Sequence, residues 1–250
     1  MKLLVINPNI SERVTELIAS EARRAASPGT EIVPVTAPFG VAYIETPSEA
    51  AIGAYAAMTL FAEHGADCDA VVIAAFGDPG LPAVREIAPV PVVGISEAAF
   101  IAAVELGARL SIVAISERIA VWYRDCAEAN GVAGRLAGIR TLTAPLRDIG
   151  SIQEDNEAAL LALCSQIVEE DSADVIILAG APLAGLGRRI ADRLTVPLVD
   201  GVASGVRLAE ARVRAGSPTA DAGGYALPPE KQQTGLPPAL AALVGRRTAD

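Results

Sequence analysis

One histidine, three cysteines and 4% aromatic residues leave this 250-residue chain short of the usual equipment for metal and nucleophile chemistry. A lone His64 excludes a clustered His/Cys metal site. It also leaves a Ser-His-Asp triad a single possible base, far in sequence from the small-residue turns described below. His64 closes a helical run before Gly65, where a helix C-terminus favours a cation, so it reads as a capping or surface residue. Cys68, Cys126 and Cys164 are odd in number and widely spaced. No disulfide framework follows from them, and a reducing compartment is expected. Buried free thiols acting as small hydrophobes account for all three. No apolar stretch approaches the roughly 18 uncharged residues of a membrane-spanning helix. The opening Met1-Lys-Leu-Leu-Val-Ile6 is too short for a signal peptide and runs into the polar turn Asn7-Pro-Asn9. The expectation is a soluble, cytoplasmic protein. No Gly-x-Gly-x-x-Gly follows the first strand, which excludes that dinucleotide fingerprint, and no cofactor is expected. Positive charge is also in deficit: a net −10 argues against nucleic acid or an anionic membrane as partner. A small anionic substrate remains compatible, because backbone N–H groups at helix starts bind carboxylates locally.

What is present is a near-repeat. Ala70-Val-Val-Ile-Ala-Ala-Phe-Gly-Asp-Pro-Gly80, leading to Val90-Pro-Val-Val-Gly94, is echoed by Asp174-Val-Ile-Ile-Leu-Ala-Gly-Ala-Pro-Leu183, leading to Val196-Pro-Leu-Val-Asp-Gly201. The offset of about 105 residues is far beyond the period of solenoid repeats. It fits a duplicated α/β half. Strand-like runs occur at 3–6, 31–35, 70–75, 92–94, 110–115, 140–143, 175–179 and 198–199, alternating with helical stretches rich in Ala, Glu, Arg and Leu. Such alternation predicts parallel sheets with right-handed crossovers. A hydrophobic content of 52%, nearly free of aromatics, suits sheets buried on both faces.

The predicted fold is therefore α/β, with two pseudo-symmetric doubly wound parallel-sheet halves and a cleft between them. Residues 1–97 plus about 206–215 form the first half and 98–205 the second. The Pro-, Gly- and Gln-rich segment 216–250 reads as a mobile tail without catalytic duty. Ser11-Glu12 and Ser116-Glu117 look like N-caps of equivalent first helices over 11–26 and 117–130.

Ligands of open parallel sheets bind at the carboxyl ends of strands, which puts the chemistry near Ala75–Asp78 and Gly180–Leu183. Asn7 and Asn9, at the end of the first strand, suit hydrogen bonding to amide, ureide or carboxylate groups, or else form an Asx turn that starts the helix. Asp78 is either a helix cap or an acid/base or substrate anchor. Gly180-Ala-Pro-Leu183 carries no ionisable group, so the two turns are chemically unequal.

Asn7-Pro-Asn9, Tyr43-Ile-Glu45, Phe76-Gly-Asp-Pro-Gly80, Val90-Pro-Val-Val-Gly94 and Val196-Pro-Leu-Val-Asp-Gly201 together resemble the aspartate/glutamate/hydantoin racemase superfamily, nearest its hydantoin-racemase branch. The resemblance covers roughly residues 1–215. It implies two thiols, one per half, that remove and return a proton on opposite faces of a carbon beside a carbonyl. The positions it assigns to those thiols hold Ala75 and Gly180. None of the three cysteines replaces them, and a two-thiol shuttle needs both within reach of one carbon. The chain then reads as a relative with different chemistry, a cysteine-substituted racemase, or a non-catalytic ureide-binding protein.

The expected ligand is a small cyclic ureide, hydantoin- or thiohydantoin-like and carboxylated. The expected reaction is cofactor-independent hydrolysis or elimination, such as desulfuration, with Glu45 or Asp78 activating water. Racemisation is the alternative. Asn7, Asn9, Phe76, Gly77, Ser116, Ala181 and Pro182 are the expected substrate contacts, and a homo-oligomer is the expected assembly.

Overall fold

A computed structural model describes residues 1–142, 151–217, 219, 223–226 and 228–244. Two four-stranded parallel sheets form the frame. The first contains β1 (Lys2–Asn7), β2 (Glu31–Thr36), β3 (Ala70–Ile73) and β4 (Val92–Gly94), in the order β2-β1-β3-β4. The second contains β5 (Leu110–Ala114), β6 (Leu136–Thr141), β7 (Val175–Leu178) and β8 (Leu198–Asp200), in the order β6-β5-β7-β8. The second half therefore repeats the topology of the first. Helices α1 (Glu12–Ala25), α2 (Pro47–His64), α3 (Leu81–Ile87) and α4 (Ile95–Leu106) follow the strands of the first half. Helices α5 (Ala120–Ala129), α6 (Ile152–Gln166), α7 (Leu186–Ile190) and α8 (Gly201–Arg214) follow those of the second, and α9 (Pro238–Val244) ends the described chain.

Local signals explain the helix starts. Ser11 accepts a hydrogen bond from the Val14 amide at 3.3 Å. Thr46 and Glu49 make a reciprocal capping box, with Pro47 at the first helical position of α2. The second half departs from expectation: α5 begins only at Ala120, behind Ile119, so Ser116 does not cap it. β6 likewise starts four residues earlier than predicted. Leu136-Ala-Gly-Ile-Arg-Thr141 has too little β-branched character to announce itself, and the sheet imposes the strand. Thr143, the end of the predicted run, lies outside the described residues.

Alternation along the strands divides the core. Leu3, Val5 and Val72 face inward with Ile112, Val175 and Ile177 of the second sheet, and Ile95, Phe100, Val202 and Val206 fill the space between. Leu4, Ile6, Val71 and Ile73 face outward toward α2 and α3. The halves exchange helices: α4 also lies against β7 and β8, while α8 lies against β3 and β4. Glu210 of α8 anchors this exchange, accepting hydrogen bonds from the Ser27 amide (2.8 Å), Ser27 Oγ (2.6 Å) and Thr30 Oγ1 (2.6 Å) in the loop between α1 and β2.

The predicted mobile tail is corrected over residues 238–244. Pro-Ala-Leu-Ala-Ala-Leu-Val forms α9, which docks on α2 and buries Leu240 and Leu243 in the outer core of the first half. Residues 218, 220–222, 227 and 245–250 of that segment lie outside the described residues. Among the described residues no helix is long and apolar enough to cross a membrane.

Candidate active site

Hydrogen bonds match the two halves residue by residue. The Ala37 amide donates to the Asn7 carbonyl as Leu142 donates to Ala114, and Ala74 donates to Ile6 as Ala179 donates to Val113. Asn7 therefore corresponds to Ala114, Asn9 to Ser116, and Ala75 to Gly180. The turns agree as well: the Asp78 amide donates to the Ala75 carbonyl at 3.0 Å, and the Leu183 amide to the Gly180 carbonyl at 3.0 Å. Two strand-end turns of the same build thus bring Ala75 and Gly180 to equivalent places.

Gly180 is more than a turn with a side chain removed. Its φ of +106° lies where side-chain-bearing residues are strained, although the space for a Cβ is free, with Tyr123 Oη 3.5 Å away. Ala75, in contrast, shows no positive φ. Gly77, at φ +104°, lies directly under the Trp122 ring of α5, which any Cβ there would strike. The second half thereby closes over the first turn.

Asp78 reaches away from its own turn. Its carboxylate accepts from the Ser96 and Glu97 amides, each at 2.9 Å, and so caps α4, while Ser96 Oγ accepts from the Gly77 amide at 2.7 Å. Burial pushes the Asp78 carboxyl up to about 6, against the opposing pull of the Ser96 and Glu97 bonds. The second half makes the same junction from the other side. Asp200, at the head of α8, accepts from the Ala203 amide at 3.0 Å and from the Gly185 amide of the second turn at 2.6 Å.

The other expected contacts fall into two groups. Asn7 is fully buried and internally bonded: Nδ2 donates to Thr15 Oγ1 at 2.9 Å, Asn9 Oδ1 at 3.1 Å and the Ser11 carbonyl at 3.2 Å. Asn9 Oδ1 also accepts from the Ser11 amide at 2.9 Å. The Asn9 Nδ2 donates to no protein atom among the described residues, so its N–H groups remain available. Phe76 is 3% exposed and packs on Tyr123 (centroids 4.6 Å) and Phe100 (5.7 Å). It belongs to the core joining the halves. Ala181 and Pro182 are buried, and Gln153 of α6 braces this turn by donating to the Pro182 and Ala184 carbonyls at 2.8 and 2.9 Å.

Sequence reasoning missed two tyrosines. The Tyr43 hydroxyl is buried without a partner among the described residues. Burial, reinforced by the neighbouring Glu45 and Glu49 charges, holds this phenol protonated far above its ordinary range. Tyr123 is buried and likewise raised, first by burial and then by Tyr43, Cys126, Asp78 and Glu45. Glu45 is half-buried, its charge acts on both phenols, and its carboxylate accepts no hydrogen bond among the described residues. A chain that is 4% aromatic yet places Trp122-Tyr123 at one helix start carried a signal that could have been read.

The Asp/Glu/hydantoin racemase family model matches residues 3–209. The hydantoin racemase of Paenarthrobacter aurescens is 37% identical over 237 residues, covering 93% of this chain and 99% of that protein. Solved allantoin racemases agree in structure. That from Klebsiella pneumoniae is 34% identical with a TM-score of 0.89, covering 94% of this chain and 96% of the other, and that from Pseudomonas fluorescens is 36% identical with a TM-score of 0.88, covering 94% and 100%. These three relatives are named racemases. With both halves and both turns inside the matched length, the chain belongs to the Asp/Glu/hydantoin racemase family.

Proposed function

We propose that the protein is a cofactor-independent enzyme that binds a five-membered cyclic ureide of the hydantoin or allantoin type between its two turns and acts at the acidic ring C–H beside a carbonyl. The observation that carries this reading is similarity to hydantoin and allantoin racemases along nearly the whole chain. Neither Ala75 nor Gly180 accepts a proton, so the base is Glu45, the half-buried carboxylate free of protein hydrogen bonds among the described residues. The neutral phenols of Tyr43 and Tyr123 donate to the ring carbonyl, whose oxygen gains charge as the proton leaves. Asn9 supplies amide donors to the ureide, and Asp78 positions the first turn by fixing α4.

One base serves one face of the ring. Solvent deuterium then enters the ring carbon of one enantiomer faster than that enantiomer inverts. Hydrolysis or elimination through a Glu45-activated water is the second reading, favoured by the absence of a thiol at both turns. Proton NMR in deuterated water on each enantiomer of a 5-substituted hydantoin and of allantoin separates the two. Deuterium at the ring carbon of an intact ring supports isomerase chemistry. A ring-opened or eliminated product without exchange supports the second reading. Saturable binding with neither outcome overturns both and leaves a ureide-binding protein.

A further inference from the structure

Away from the paired turns, a cavity of about 270 Å³ opens beside the edge strand β8, between α4, α7 and α8. Its size suits a ligand smaller than a drug-like molecule. Its carboxylates are already engaged. Glu21, buried on α1, holds Arg188 Nη1 with both oxygens, and Asp200 accepts from the Gly185 and Ala203 amides. The polar side chains left over are rich in donors: the exposed Arg207 guanidinium, which has no ion pair among the described residues, the rest of the Arg188 guanidinium, and the Ser204 hydroxyl, which can donate or accept. The same lining includes the apolar Leu106, 54% exposed, and Leu198.

From this arrangement we infer a second ligand site, one that takes a small aliphatic carboxylate. Arg207 and Ser204 receive the carboxylate, while Leu106 and Leu198 cover its hydrocarbon portion. An ammonium ligand would be repelled by the two guanidinium groups, with the Ser204 hydroxyl as the side-chain acceptor left to it. Two wall groups, Gly185 and Asp200, also fix the second turn, so occupancy is felt there. The inference does not depend on the reading of the paired turns, because none of the groups assigned to the reaction lines this cavity.

The test is an amide-resolved NMR titration of the full chain with butyrate, with butylamine and inorganic phosphate as comparison probes. Butyrate should shift the Gly185 and Ala203 amides saturably, and butylamine should not. Phosphate should bind more weakly, having no hydrocarbon to cover. Arg207→Gln, on an exposed helix position, should weaken butyrate about tenfold or more, the scale of one lost charge-assisted bond. Leu106→Asp should weaken it as well, by placing a negative charge at the mouth. Non-saturating shifts, butyrate affinity unchanged in both variants, or butylamine or phosphate binding as tightly as butyrate would overturn the site.

Discussion

Glu210→Gln tests the junction by which α8 of the second half is fixed to the first. Glu210 is 2% exposed and collects three hydrogen bonds from Ser27 and Thr30, with a fourth from Arg214 Nη2 at 2.8 Å. Burial alone would raise its carboxyl, but the bonds from Ser27, Thr30 and Arg214 outweigh it and hold the group at about 2, against an ordinary 4.5. At about 1.4 kcal/mol per decade, that depression stabilises the fold by on the order of 3 kcal/mol. The sign follows from linkage: a depressed folded value contributes fully above the unfolded value and is lost as pH falls toward the folded one. Urea unfolding of the wild type and Glu210→Gln should differ by about 3 kcal/mol at neutral pH. The gap should shrink below about pH 5 and fall under about 2 kcal/mol near pH 3. A gap that stays constant across that range would refute the assignment of the stabilisation to the ionised carboxylate.

Three other predictions follow from the same structure. Ending the chain at residue 236 removes α9 and exposes the α2 surface covered by Leu240 and Leu243, so the melting temperature should fall by several degrees; an unchanged value would restore the mobile-tail reading. Gly180→Cys should destabilise by about 1–2 kcal/mol because of its φ of +106°, whereas Ala75→Cys should be close to neutral; equal costs in denaturant titrations would contradict the turn geometry. Asn7→Ala should cost about 1–3 kcal/mol of stability by leaving Thr15 and the Asn9 turn without their donor, while Asn9→Ala should weaken ureide binding with the smaller stability loss, and calorimetry showing the reverse order would exchange their roles.

The strands and the parallel character of their sheets were legible in the sequence because Val- and Ile-rich runs recur with the same turns, and buried parallel strands require such runs. β6 was the least legible, since Gly138 and Ala137 weaken its pattern and only the neighbouring β5 enforces it. The correspondence of Ala75 with Gly180 was also readable by counting along the repeat. Asp78 was not: nothing local shows that its carboxylate crosses to the amides of Ser96 and Glu97, because that depends on how α4 leaves β4. The electrostatic influence of Tyr43 on Tyr123 was hidden for the same reason, because it depends on how the halves dock. The Pro- and Gly-rich surroundings of Pro238–Val244 concealed an apolar face that becomes stable only against α2.

The proposal that Glu45 is the base at a ureide ring carbon is tested most directly by the deuterium-exchange rate of each hydantoin and allantoin enantiomer with wild type and with Glu45→Gln. Exchange by the wild type on one enantiomer, reduced about a hundredfold or more by Glu45→Gln with binding retained, is the predicted result. Exchange untouched by that substitution, or two-face racemisation at equal rates, would contradict it.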